Sequence, residues 1–287
     1  MMDIEDDFTD FKIGVAGLGL IGGSLAKAFK RAGFCVAGFD IDKQTVDCAR
    51  QEGAVDCADT QPDVLFDCDY IFVALYPDAI IDFVKKNAPN FKKGAVVVDC
   101  CGIKGHICES LYNSDLEGSF TFIGGHPMAG TEYRGYSASF AELFKGASFI
   151  LTPRPAESEE VIEKLSALIK TAGFERVVVT TPKHHDRMIA FTSQLPHILA
   201  CAYVMSPSCP EHSGFSAGSY RDVSRVAHIT PELWSQLFID NKEELCCEID
   251  IMINNMKKLR DAAYAGDKNT LFELLSEARR IKDSVDK

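Results

Sequence analysis

The run KIGVAGLGLIGGSLAKAFKRAGFCVAGFD, residues 12–40, decides the fold. Lys12 to Ala16 is apolar enough for a short buried strand, and Gly17-Leu18-Gly19-Leu20-Ile21-Gly22 follows without a break. Leu25, Ala28, Phe29 and Ala32 then recur at helical spacing, and Gly33 closes the helix. A second apolar strand, Phe34 to Phe39, ends in Asp40. Strand, GxGxxG, helix, strand and terminal acid, in that order, are the pattern of a dinucleotide site. Gly17 permits the tight turn, Gly19 lets a pyrophosphate reach the backbone, and Gly22 lets the helix pack closely. The turn through Leu18, Leu20 and Ile21 seats the pyrophosphate on a helix N-terminus, where unpaired N–H groups favour negative charge. Asp40 would accept the ribose hydroxyls and repel a 2′-phosphate. The next residues are Ile41, Asp42 and Lys43, with no arginine directly after Asp40, so NAD is expected rather than NADP.

The alternation continues outward. Helix is expected over 42–51, strand over 70–75, helix from Pro77, strand over 95–98, helix over 104–113 and strand over 120–123. Strand over 148–151, helix over 157–172 and strand over 177–180 complete the series. Such alternation predicts an α/β fold, a Rossmann-like, doubly wound, mostly parallel sheet. Ligands of such sheets bind beyond the carboxyl ends of the strands, so the loops after Leu75, Val98 and Ile123 are candidate site loops. After Pro182 no strand pattern remains. A helix over 182–205 interrupted by Pro196, a loop over 206–220, one long helix from Pro231 to about Ala265 and a last helix give an all-α second part. The expected division is 1–181 for the nucleotide, with 1–10 an acidic frayed tail, and 182–287 for substrate and dimerisation. Leu245, Ile249, Met252, Met256, Leu259 and Ala263 form an apolar stripe, repeated by Leu271, Leu274, Ala278 and Ile281. These read as core positions, and a second subunit is the expected cover for so long a stripe.

Bulk numbers narrow the function. The chain has 287 residues, 46% hydrophobic and 25% charged, which marks a soluble globular class. Its net charge of −12 argues against nucleic acid or an anionic membrane as partner. No apolar run reaches the roughly 20 residues of a membrane helix. The first ten residues carry five acids and no base, the opposite of a secretion signal. Eleven cysteines, with no CxxC pair, fit reduced thiols in a cytoplasm.

The stretch Gly124-Gly125-His126-Pro127-Met128-Ala129-Gly130-Thr131-Glu132 reads as a loop after the strand 120–123, and offers one histidine as a base near neutral pH. Three clusters sit where an active site should form: 99–104, 124–132 and 185–234. This wording resembles the active-site loop of the prephenate dehydrogenases, the TyrA family, and the resemblance runs from Lys12 to about Leu275. It implies oxidative decarboxylation of prephenate, or of its amino analogue arogenate, with a nicotinamide cofactor, in tyrosine biosynthesis. It also implies that His126 is the base, that His197 and Arg225 hold the substrate, and that Glu132, Gly218, Asp222 and Trp234 lie around the pocket. Arg225 alone could equally pair with Asp222, and His185 reads as structural. Many relatives carry Gly-Ser-Val-Lys where this chain has Cys101-Gly102-Ile103-Lys104, so Gly102 replaces a serine that reaches the substrate; a bound water is expected to stand in for its hydroxyl. Gln194 also departs, standing where relatives often have histidine. The expectation is a monofunctional dehydrogenase without a fused mutase or regulatory domain, with no metal. Its rivals are an arogenate dehydrogenase, a β-hydroxy-acid or imine reductase, which would need a lysine base not found in the helical part, and a non-catalytic dinucleotide sensor.

Overall fold

The computed structural model describes residues 11–285 except 115, 117 and 132. Glu132 and the acidic tail therefore lie outside the described residues. Eight strands form one sheet: β1 Lys12–Ala16, β2 Cys35–Phe39, β3 Cys57–Asp59, β4 Tyr70–Val73, β5 Val96–Asp99, β6 Thr121–Pro127, β7 Ser148–Thr152 and β8 Arg176–Val179. Helices α1 Leu20–Arg31, α2 Lys43–Gln51, α3 Pro77–Asn87, α4 Gly105–Tyr112 and α5 Glu159–Thr171 alternate with them. The order across the sheet is β3-β2-β1-β4-β5-β6-β7-β8. The chain leaves β1 in both directions, which opens a crevice above the carboxyl ends of β1 and β4. Strand β3 escaped the sequence reading because three residues carry no period.

The sheet is parallel from β3 through β6, and β7 is antiparallel to β6. Among the described residues no α-helix connects β6 to β7, and the return strand runs the other way. Strand β6 is longer than expected. Residues 121–123 pair with β5, and 124–127 continue beyond the sheet edge to pair with β7. Gly124 to Pro127 is therefore strand, not loop, which corrects the sequence reading.

Side chains alternate across the sheet into two cores, as a strand period of two requires. Ile13, Val15, Phe72 and Val98 face one cluster; Ala16, Ile71, Val73 and Val97 face the other. The second cluster also takes in Leu237 from the helical part, with Trp234 packed against it. Burying one such leucine contributes about 2 kcal/mol towards holding the two parts together.

The helical part comprises α6 Pro182–Ile189, α7 Leu195–Val204, α8 Gly218–Ser224, α9 Pro231–Asp240, α10 Lys242–Tyr264 and α11 Lys268–Val285. The interruption expected at Pro196 is a wide π turn over Ala190–Gln194. Pro196 itself sits in the first turn of α7, directly after that π turn. The long helix expected from Pro231 to Ala265 is two helices. The break falls at Asn241, whose backbone leaves helical geometry and whose buried side-chain amide donates to the Asp186 carbonyl at 3.0 Å and to Gln194 Oε1 at 2.7 Å. The apolar stripe is not internal core: Leu245 is buried, but Met256 is 53% and Ile281 49% exposed, and Ala263 is exposed. Among the described residues no helix is long and apolar enough to cross a membrane.

Candidate active site

The glycine turn has the geometry its sequence demanded. Gly17 has φ +85°, a conformation that L side chains rarely adopt, and a Cβ there would also meet the Ala74 carbonyl and Leu75. A methyl group on Gly22 would overlap the Gly17 carbonyl, so this glycine is what lets α1 start so close under the turn. Gly19 faces open space and, as the residue before α1, caps it with no side chain. Leu18 is fully buried, while Leu20, Ile21 and Leu75 are half-buried around the crevice. The Leu18 N–H donates to Asp40 Oδ2 at 2.8 Å and the Asp42 N–H to Oδ1 at 2.9 Å. Asp40 is thus aimed at the turn, with lone pairs left for ribose hydroxyls. An open helix N-terminus, a glycine without obstruction and an oriented carboxylate fit a dinucleotide.

His126 projects from the extension of β6, where it pairs with Ile150. The strand lies tightly over the end of β5. A Cβ on Gly125 would meet the Asp99 carbonyl and Val98, and one on Gly124 would meet Thr152 and Cys108. The Gly125 N–H donates to Asp99 Oδ1 at 3.0 Å. Asp99 also accepts the Cys101 N–H at 3.0 Å and an ion pair from Lys104 Nζ, and both charged side chains are fully buried. Burial pushes the Asp99 carboxyl up, while Lys104 and the two N–H groups pull it down. Burial works against the Lys104 ammonium as well, but Asp99, together with Cys101 and Cys108, outweighs it and the pKa is raised. This ion pair ties the β5–α4 connection to the strand that carries His126.

Around the His126 ring stand two residues that the sequence left as background. His126 Nδ1 lies 2.9 Å from His185 Nε2, and His185 Nδ1 lies 2.7 Å from Asp186 Oδ1. His126 and His185 are 59 residues apart, so no spacing rule could have paired them. On its other side His126 faces Gly102: a Cβ placed there would be 3.8 Å from Nε2. Burial pushes the His126 imidazole well below its ordinary pKa, helped by His185 and Lys104. The ring is neutral at pH 7 and able to accept a proton.

The helical part brings up a second group. His197 Nδ1 donates to the Val226 carbonyl at 2.7 Å, and its ring lies 3.8 Å from the Trp234 ring, centroid to centroid. Burial lowers the His197 pKa; the Val226 carbonyl opposes this and Arg225 adds to it. Leu237, three residues after Trp234 on α9, reaches 3.9 Å from the Cβ position of Gly102, so one helix links the His197 group to the His126 group. Arg225 and Asp222 are exposed and form no ion pair with each other among the described residues. Gly218 is also exposed, at the start of α8. Neither Gly218 nor Asp222 is brought into hydrogen-bond contact with His126 or His197. Gln194 is a structural clamp: its amide donates to the Leu237 carbonyl at 3.0 Å and accepts from Asn241.

A glycine turn at the switch point, a neutral histidine at the sheet's carboxyl edge and helix α9 packed beside it fit a dinucleotide-fold dehydrogenase. The chain belongs to the prephenate dehydrogenase family: the model of its nucleotide-binding domain matches residues 25–179 and that of its dimerization domain residues 181–277. A cyclohexadienyl dehydrogenase of Zymomonas mobilis is 32% identical over 286 residues, covering 96% of each chain. The prephenate dehydrogenase of Bacillus subtilis is 28% identical, covering 94% of this chain and 75% of its own. Among solved structures, prephenate dehydrogenase from A. aeolicus, in complex with hydroxyphenyl propionate and NAD+, superposes with a TM-score of 0.84 at 26% identity, covering 96% of this chain and 98% of its own. Synechocystis arogenate dehydrogenase superposes with a TM-score of 0.80 at 26% identity, covering 96% and 99%.

Proposed function

We propose that this protein is an NAD-dependent prephenate dehydrogenase that converts prephenate to 4-hydroxyphenylpyruvate, with residues 1–181 holding the nucleotide and 182–287 the substrate and the dimer contact. The observation that carries the reading is a neutral His126 at the carboxyl edge of the sheet, facing Gly102 and walled by α9. The bound nicotinamide would supply the electron acceptor. The residues of the chain supply orientation and the proton path. His126 Nε2 takes the ring hydroxyl proton as the carbonyl forms, and loss of carbon dioxide then makes the ring aromatic. Arg225, exposed and not engaged with Asp222, is available to a substrate carboxylate, which a guanidinium grips through two parallel bonds. His197 and Trp234 hold the ring side, Gly102 lines the floor, and Gly218 and Asp222 belong to the rim; Glu132 is a further candidate for substrate binding. Gly17, Leu18, Gly19, Leu20, Ile21, Gly22, Asp40 and Leu75 hold the nucleotide, and Asp40 selects NAD.

The likeness to the A. aeolicus enzyme, whose structure holds NAD+ and hydroxyphenyl propionate, supports this choice. Arogenate is the second reading, favoured by the likeness to the Synechocystis arogenate dehydrogenase. A homodimer through the helical part is supported by the apolar side chains left exposed on α10 and α11, among them Ile251, Met256, Phe272 and Leu275. Eleven unpaired cysteines suit a reducing cytoplasm. The test mixes purified protein with NAD or NADP and with prephenate or arogenate, and follows reduced cofactor by absorbance. Turnover with NAD and prephenate is expected; none with either substrate would leave a dinucleotide sensor as the better reading. Light scattering that finds only monomer at micromolar concentration would remove the dimer.

A further inference from the structure

The contact between His126 and His185 raises a question of proton placement. Two imidazole nitrogens 2.9 Å apart share one proton, and either ring could own it. Asp186 settles the matter from the far end. Its Oδ1 accepts the Lys104 N–H at 2.8 Å and its Oδ2 accepts the Gly105 N–H at 2.6 Å, so the carboxylate has no proton to offer His185. His185 Nδ1 must then carry a proton and donate to Asp186 at 2.7 Å. A neutral His185 presents a bare Nε2, so the shared proton belongs to His126 Nδ1. That leaves His126 Nε2 as a free lone pair on the side facing Gly102, where a base is needed.

We propose that His185 and Asp186 are positioning residues that fix the His126 tautomer with Nε2 bare and take up the positive charge when His126 accepts the substrate proton. The transfer is a proton movement only. The hydroxyl proton passes to His126 Nε2, the Nδ1 proton shifts to His185 Nε2, and the imidazolium so formed lies against Asp186. The chain is anchored throughout. His126 sits on β6 and His185 and Asp186 on α6, while Asp186 caps the start of α4. A Cβ on Gly105 would come within 2.7 Å of Asp186 Oδ2, so a larger residue there would displace the carboxylate. Asn241 holds the Asp186 carbonyl at 3.0 Å. The other charged groups nearby are Lys104 and Asp99 of the β5–α4 connection, paired with each other; Lys104 works against positive charge on both rings, and Asp99 favours it on His185. The lowered pKa of both rings, for which desolvation is the main cause, agrees with this arrangement.

The inference rests on the proposed dehydrogenase reading, so its first test does not use turnover. In protein labelled with 15N-histidine, the nitrogen chemical shifts of His126 and His185 at neutral pH should report a proton on Nδ1 of each ring. A proton on Nε2 of His126 overturns the proposal, whatever the substrate proves to be. The second test is kinetic. In Asp186→Asn the amide can donate to His185, which reverses both tautomers. We expect kcat to fall about 10²-fold or more and the acid limb of kcat/KM to move to lower pH. His185→Gln can still accept the His126 Nδ1–H and should retain at least tenfold more turnover than His185→Leu. Asp186→Asn and His185→Leu proteins that bind nucleotide normally and keep wild-type kcat and pH profile would overturn the proposal. A wild-type protein inactive on prephenate and arogenate alike would sink the dehydrogenase reading and leave the tautomer measurement to decide this one.

Discussion

Gly102→Ser is expected to fold, bind nucleotide and turn over at the wild-type rate or several-fold faster. Gly102 is not among the glycines with positive φ, so a side chain brings no backbone strain. Its Cβ would lie 3.8 Å from His126 Nε2 and 3.9 Å from both His126 Cε1 and Leu237 Cδ1, all ordinary contacts. A hydroxyl oxygen about 1.4 Å further on comes within hydrogen-bond range of Nε2 in a rotamer that turns it towards the ring. A net hydrogen bond is worth about 0.5–1.5 kcal/mol. If it forms only as Nε2 takes up its proton, that is about two- to tenfold in kcat. If a water already makes the bond in the wild type, the gain shrinks to nothing. Gly102→Val places a methyl group at the same distance with nothing to donate, and turnover should be lost. The assay is steady-state kinetics by cofactor absorbance, with nucleotide affinity and the thermal midpoint measured separately. A Gly102→Ser protein that melts normally, binds nucleotide and loses more than about tenfold in kcat would refute the reasoning.

His126→Asn should lower kcat by about 10² or more while sparing nucleotide binding, and a variant with most of its turnover would remove His126 from the mechanism. Because burial holds the His126 pKa well below 6.5, wild-type kcat/KM should stay level through neutral pH. The same shift makes the unfolded chain bind the extra proton, so stability should be full above pH 6.5 and fall on acidification, readable by urea unfolding at several pH values. Arg225→Ala should raise KM strongly and change kcat less; an unchanged KM with a lower melting temperature would make Arg225 structural. Asp40→Ser should erode the preference for NAD, and a native protein that already prefers NADP would contradict the role given to Asp40. Lys104→Met strands a fully buried carboxylate and should cost about 3–5 kcal/mol in urea unfolding; a loss under about 1 kcal/mol would show that Asp99 needs no counter-charge.

Residues 12–40 determined the nucleotide half by themselves, because a strand, a glycine turn and a helix are local structures whose signals lie within a few residues. The turn at Gly17, the open face of Gly19 and the carboxylate of Asp40 all stand where the sequence put them. Periodicity likewise gave the order of strands and helices up to Val179, apart from β3. The catalytic surroundings were a different matter. His126 was legible as a base only with its motif, and it was read on a loop. The strand extension that carries it depends on pairing with β7, more than twenty residues away, which no local pattern encodes. Tertiary structure alone placed His185 and Asp186 behind His126, buried Lys104 against Asp99, and paired the Asn241 amide with the Asp186 carbonyl. These are buried or partly buried polar contacts. A buried polar group must find a partner, but the partner it finds is set by how the chain folds back on itself, not by its neighbours in sequence.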